Sequence, residues 1–310
     1  MANARSKKMQ GTIRRPPIAA VAAPPEVVDP RWLLKALGVV IATGLACAYV
    51  MVCALFYSQQ WQFVLHPSRT VSTTPTAEGL AFEPVRFGVD NAGRPQLAGW
   101  WVPGDLKSDP TVLLLHGQDG SLGDTVGAIK ALHDARLNVL AFDYRGYGQS
   151  GGAHPNEASM QVDASDAFRY LLQTRGIPAA TVIVYGAGLG ASLAVHLCAE
   201  QSAIAGAILQ SADGDTLSRV EADPRARVVP VPMLFHNRFP LADALRTLHT
   251  PKLLLSYTKG AAPVDAARAA DPKITAELPS GSPLSETTAA VRRFLGIYVA
   301  HPAPVLQPGR

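Results

Sequence analysis

Acyl-transfer chemistry needs a nucleophile, a base behind it and an acid to orient the base, roles that serine, histidine and aspartate fill most often. In this 310-residue chain the residues placed for such work stand just after short apolar runs. His116 closes TVLLLH and Ser121 follows it, while Ser211 and Asp213 follow AGAILQ. Each also has a plainer reading. His116 serves as a base only if its ring turns toward a serine. Asp213-Gly214-Asp215 carries turn chemistry, Ser192 reads as a helical serine facing its own backbone, and Asp265 reads as part of a helix N-terminus. The glycine run Gly186-Ala187-Gly188-Leu189-Gly190 superficially matches a dinucleotide fingerprint, but no acidic residue ends the next strand to hold a ribose. No H-x-x-x-H pair or Cys/His cluster occurs, so neither a metal nor a cofactor is expected. Of the three cysteines, Cys47 and Cys53 fall in an apolar segment. That leaves Cys198 alone, without an intradomain disulfide and best read as a buried thiol.

The elements that must position these residues alternate. Strand-like runs occupy 111–116, 138–143, 181–185, 205–210, 251–257 and 273–278, with helical patterns at 122–135, 158–175, 190–201, 263–270 and 285–299. The strands are short, apolar throughout and often β-branched, as strands covered on both faces are. Such alternation predicts an α/β, mostly parallel doubly wound sheet, with runs at 83–88 and 97–102 as an antiparallel edge. In a sheet of this kind ligands bind beyond the carboxyl ends of the strands. The proline-broken interval 214–250 is expected to be a lid over that crevice, and no internal repeat is visible.

Composition and charge set the surroundings. At 48% hydrophobic and 17% charged the chain can bury a sizeable core, and wholesale disorder is excluded. The net charge is +4, yet residues 1–35 hold seven basic and two acidic side chains, so the remainder sums to −1. That distribution argues against a nucleic-acid partner. Residues 36–57 (ALGVVIATGLACAYVMVCALFY) carry no charge for 22 positions. A helix of that length, at ~1.5 Å per residue, is enough to span the ~30 Å hydrocarbon layer. Trp32, Tyr57 and Trp61 flank it as an aromatic belt, and the lipid bilayer is the first expected partner. A cleaved signal peptide, with Ala46-Cys47-Ala48 as its cleavage site, competes with this reading, but its apolar region usually runs only ~7–15 residues. The positive-inside rule then leaves a Pro/Ala-rich arm (1–35) in the cytoplasm and exports a domain over 58–300 with a loose tail at 301–310, as in a single-pass bacterial inner-membrane protein with a periplasmic domain.

Four post-strand segments together resemble the α/β-hydrolase superfamily: LLLHGQDG (113–120), FDYRGYGQSGG (142–152), VYGAGLGAS (184–192) and VLHPSRTVSTTP (64–75). The similarity is to its bacterial membrane-anchored, serine-aminopeptidase-like branch and covers roughly residues 60–300. The resemblance implies a nucleophile serine in G-x-S-x-G, an acid after a later strand and a histidine before the last helix. Here those positions hold Gly188, Gly260 and Pro283, and all eight histidines lie outside 250–300. It also implies an oxyanion hole of backbone N–H groups from Leu189 and from the loop at Gly117 and Gln118, a main-chain cradle that survives loss of the side chains. The expectation is therefore a pseudoenzyme that holds an acyl or carboxylate ligand, or a protein partner such as a paralogous hydrolase, without turnover. The alternative is a working serine hydrolase, esterase- or peptidase-like, drawing on Ser121 or Ser211 with His116 and Asp213.

Overall fold

A computed structural model describes residues 29–89, 92–106, 108–257 and 266–299. The basic arm over 1–28, the tail over 301–310, Asp265 and the expected acid position at Gly260 lie outside the described residues. The chain divides into two compact units at Val50 and Met51. Helix α1, Pro30–Gln59, accounts for the described part of the first unit and continues into the second. With the 3-10 turn after it, the helical stretch Pro30–Phe63 reaches a mean hydropathy of 2.4 and is 6% buried over its most apolar window. Among the described residues, one N-terminal helix is thus long and apolar enough to cross a membrane.

The second unit is built on eight strands: β1 Glu83–Val89, β2 Pro95–Val102, β3 Thr111–Leu115, β4 Asn138–Asp143, β5 Val182–Ala187, β6 Gly206–Gln210, β7 Lys252–Tyr257 and β8 Lys273–Leu278. They lie in the order β1-β2-β4-β3-β5-β6-β7-β8. Pairs from β4 to β8 are parallel, and β1 and β2 form the antiparallel edge. This is the α/β-hydrolase architecture that the sequence implies. The strand pleat sorts side chains between two cores. Leu113 and Leu115 point to one face, where α3 (Glu157–Gln173) and α4 (Gly190–Glu200) supply Met160, Phe168 and Leu193. Val112 and Leu114 point to the other, against Ile129 and Leu132 of α2 (Val126–Asp134) and Val291 and Phe294 of α8 (Leu284–Tyr298). Each such buried side chain contributes roughly 1.5–3 kcal/mol, which is why the central strands carry no polar alternation.

The interval after β6 contains no strand. It holds three short helices, α5 (Leu217–Ala222), α6 (Val231–Leu234) and α7 (Ala242–Thr247). Phe235, Phe239 and Leu241 bury themselves in the α3/α4-side core, and Ser192 Oγ donates to the Pro240 carbonyl at 2.9 Å, so the interval expected to be a lid is tied down. Ser192 accordingly bonds across to this interval and not to its own helix. Asp215 accepts from the N–H groups of Leu241 and Ala242 at the start of α7, a contact at long range that the turn reading of Asp213-Gly214-Asp215 did not include.

Candidate functional site

The sharp turn between β5 and α4 depends on three glycines for two different reasons. A Cβ at Gly186 would lie 2.5 Å from the Gly190 carbonyl oxygen, and one at Gly190 would lie 2.5 Å from the His116 carbonyl oxygen, so both are needed for close approach of main chains. Gly188, where the resemblance expects the nucleophile, has φ +55°. That backbone state costs a side-chain-bearing residue roughly 1–3 kcal/mol. Its N–H donates to the Gln210 carbonyl and its own carbonyl accepts from Asp213 N, both at 3.0 Å. The elbow therefore retains its shape while carrying no attacking group.

Beside it, the Leu189 N–H donates to Gln118 Oε1 at 3.3 Å. A Cβ on Gly188 would meet the same oxygen at 2.7 Å. An amide oxygen of the chain thus stands against the N–H to which the family resemblance assigns the oxyanion hole. Gln118 is held by its own backbone: its carbonyl accepts from Tyr147 Oη at 2.8 Å and from His66 N at 2.9 Å. The second contact belongs to a short parallel bridge in which His66 and Pro67 pair with Asp119 and Gly120. A Cβ on Gly117 would stand 3.4 Å from the Ala187 carbonyl oxygen, so the two loops approach closely there.

His116 is buried, with its ring 4.4 Å from Tyr144 and 4.9 Å from Tyr147 between centroids. Its Nδ1 donates to the Gly117 carbonyl at 2.8 Å. A carbonyl oxygen can only accept, so the proton sits on Nδ1 and Nε2 is the bare nitrogen. Nε2 lies 4.0 Å from Asp143 Oδ1 and has no hydrogen-bond partner. Burial pulls the His116 pKa down to about 4, against the opposing pulls of the Gly117 bond and Asp124. Burial likewise pushes Asp143 up to about 6, although its carboxylate accepts from Leu122 N and Gln149 N.

The other candidates are occupied elsewhere. Ser121 is buried, donates to the Thr70 carbonyl and opens a 3-10 turn with Asp124 as its reciprocal cap. Asp213 is clamped by Arg219 through both oxygens at 2.7 and 2.8 Å, and it also caps Gly214 N. Ser211 sits at φ +44°, its N–H on the Leu255 carbonyl. Among the described residues no hydrogen bond joins His116, Ser121, Ser211 and Asp213 to one another. Pro283, where the resemblance expects the histidine, is exposed and precedes α8. Cys198 is buried and its thiol is pushed up to about 12 by burial, which makes it inert. A cavity of about 460 Å³ lies beyond β6–β8, lined by Leu209, Ala212, Leu254 and Leu255 among others, and does not include Gly188 or Gln118. The residue that sequence reasoning undervalued is Gln118, assigned only a backbone role. The available signal was a long amide side chain following His-Gly in a chain whose nucleophile position is glycine.

The family model described as serine aminopeptidase, S33, matches residues 107–293. The chain belongs to this family of α/β hydrolases. Consistent with that, an uncharacterised protein of Mycobacterium tuberculosis is 30% identical over 223 residues, covering 72% of this chain and 76% of its own. A lysophosphatidylserine lipase of Danio rerio is 33% identical over a shorter stretch of 102 residues, 32% of this chain and 26% of the lipase. An esterase of Pyrococcus furiosus superimposes with a TM-score of 0.58 at 20% identity, covering 76% of this chain and all of that one, a likeness of fold. As a member of the S33 family, this hydrolase-fold chain has two close-packing elbow glycines and no side chain at the position between them.

Proposed function

We propose that this α/β-hydrolase family member is a membrane-anchored pseudoenzyme whose crevice binds an acyl or carboxylate group without cleaving it. The observation that carries the reading is the pairing of Gly188 at the elbow with Gln118 Oε1 on the Leu189 N–H. No acyl-enzyme can form on a residue without a side chain, and the stabilising donor is already satisfied internally. The Gln118 oxygen mimics the carbonyl or carboxylate oxygen that the cradle accepts, so a ligand enters by displacing it. Gln118 is a flexible side chain, and the positive end of α4 favours an incoming anion. His116 supports no turnover as it stands, since its bare Nε2 lies against Asp143 and has no hydroxyl in hydrogen-bond reach.

The anchor reading rests on the apolar helix Pro30–Phe63. The basic arm before it favours a cytoplasmic N-terminus with the hydrolase-fold unit outside the inner membrane. A protein partner, including a paralogous hydrolase, is compatible with a crevice that holds a ligand and does not consume it.

The test is ester and aminoacyl-anilide turnover by the full-length protein purified in detergent. Rates at the buffer background are expected for the natural chain. Turnover that disappears on changing Ser211 or His116 would establish the working-hydrolase alternative instead.

A further inference from the structure

We infer that a second cavity, bounded by Tyr57, Trp61, His154, Asn156, Glu157 and Asn237, binds a neutral ligand rich in hydroxyl groups, of the pyranose-sugar class. This goes beyond the pseudoenzyme reading. The cavity includes neither Gly188 nor Gln118, and all of its residues belong to the second compact unit.

The cavity holds about 530 Å³, within the range of roughly 300–1,000 Å³ that small-molecule sites occupy. Contacts that involve no ligand fix its walls. The Trp61 ring stacks on His154 with centroids 5.1 Å apart, and Tyr57 meets the His236 ring edge-on at 5.3 Å. Buried Gln60 donates to the Tyr57 and Leu234 carbonyls and accepts from His236 N at 2.6 Å, so the end of α1 is joined to the interval after β6. Asn156 caps α3 by accepting from Ser159 N at 2.9 Å. Glu157, the first residue of that helix, donates its own N–H to Asn237 Oδ1 at 2.9 Å.

The polar groups left over select the ligand. Of the four side-chain amides in the lining, three have their oxygens spent, Gln60 on His236 N, Asn156 on Ser159 N and Asn237 on Glu157 N. The donors are free. Trp61 Nε1 is buried without a partner. Asn237 is 5% exposed, and among the described residues neither its Nδ2 nor Asn156 Nδ2 makes a hydrogen bond. The rings of His154 and His236 have ring contacts and no hydrogen bonds, and each can donate. Glu157 accepts from Phe239 N at 2.8 Å and Gln161 Nε2 at 3.2 Å, which leaves carboxylate lone pairs to spare. A cation would face the free donors. An anion would stand beside the Glu157 carboxyl, whose pKa burial already raises. An apolar molecule would leave every one of these groups dehydrated and unpaired. A hydroxyl both accepts and donates, and so satisfies Asn237 Nδ2 and Glu157 together. An extended peptide pairs its main chain with a strand edge, whereas no lining residue lies in a strand. Tyr57, 54% exposed, adds an aromatic wall suited to the C–H groups of a sugar ring.

The experiment uses the full chain in dodecylphosphocholine, a detergent without a sugar headgroup, with cellobiose as the probe. The indole N–H resonance of Trp61, one of four tryptophans, is assigned by its loss in Trp61→Phe. Cellobiose should shift that resonance saturably and release binding heat in calorimetry. Both effects should persist in saturating butyrate, which separates this cavity from the crevice at Gln118. Trp61→Phe keeps a ring and loses the N–H, and Asn237→Asp keeps an acceptor for Glu157 N and loses the donor. Each should weaken cellobiose at least about fivefold, the share of one net hydrogen bond, with thermal unfolding confirming that the variants are folded. Absence of any cellobiose effect overturns the inference, whatever the crevice binds. A shift produced by butyrate, choline or trialanine and not by cellobiose overturns the sugar class. Competition between butyrate and cellobiose, or unchanged affinity in both folded variants, overturns the assignment of the ligand to this cavity.

Discussion

Leu189 N–H has one acceptor in the structure, Gln118 Oε1, and any ligand oxygen must compete with it. Replacing Gln118 with Ala removes the competitor, and a net hydrogen bond is worth about 1 kcal/mol. Butyrate followed by the Leu189 amide resonance should consequently bind about fivefold more tightly to the Gln118→Ala protein, since about 1.4 kcal/mol is tenfold. Gly188→Ser tests the other half of the site. At a φ of +55° the new serine is strained and Gln118 is pushed aside. The strain should cost about 1–3 kcal/mol in denaturant unfolding. The variant should gain no ester turnover, because the bare Nε2 of His116 lies against Asp143 without a hydroxyl partner and the position that the resemblance gives to the base holds Pro283. The His116–Asp143 pair also sets a pH signature. His116 is depressed from the usual 6.5 to about 4, so the unfolded chain binds more protons between those values and stability falls as pH falls through that window. Asp143 is raised from 3.8 to about 6, so the folded chain binds more protons there and stability rises as pH falls. The two slopes oppose each other. Asp143→Asn should therefore show a steeper loss of stability from about pH 6.5 to about pH 4 than the natural chain, steeper by up to about 1.4 kcal/mol per pH unit, in urea unfolding at stepped pH.

The sheet was largely legible as elements because its signal is local. Runs such as TVLLL and NVLAFD are buried on both faces and read the same in sequence and in space, and 138–143 and 273–278 have the expected bounds. The elbow glycines were legible by motif, but their distinct duties were not. Gly186 and Gly190 prevent main-chain collisions, whereas Gly188 relieves a φ. It follows that Gly190→Ala, which sets a methyl against the His116 carbonyl, should destabilise the protein by at least about 2 kcal/mol, whereas the same change on an open helix face would stabilise. Thermal unfolding beside Gly296→Ala, where a Cβ meets nothing within 4 Å, checks the difference. Lys252 shows what stays hidden. It lies fully buried at the start of β7 with Nζ on the Leu248, Ala270 and Pro272 carbonyls, an arrangement that depends on residues 4 to 20 positions away. The docking of the interval 214–250, expected from sequence only as a lid, stayed hidden for the same reason, since its proline-broken stretches name no partner without Gln60 and Ser192 to hold them.

For the molecule as a whole, the residues just beyond the apolar helix connect to the crevice by main-chain pairing. His66 and Pro67 pair with Asp119 and Gly120, and His66 N holds the carbonyl of Gln118. The loop around Gln118 is thereby tethered a few residues past the end of the apolar helix. All of this depends on the crevice having no attacking group. The most direct measurement is reaction of the full-length protein with a fluorophosphonate probe, read by intact-protein mass spectrometry with an active serine hydrolase treated alongside. The mass of the natural chain should remain unchanged while the control enzyme is fully modified. A stoichiometric phosphonyl adduct mapped to Ser211, Ser121 or any other serine of the crevice would show that a nucleophile exists there and would contradict the reading.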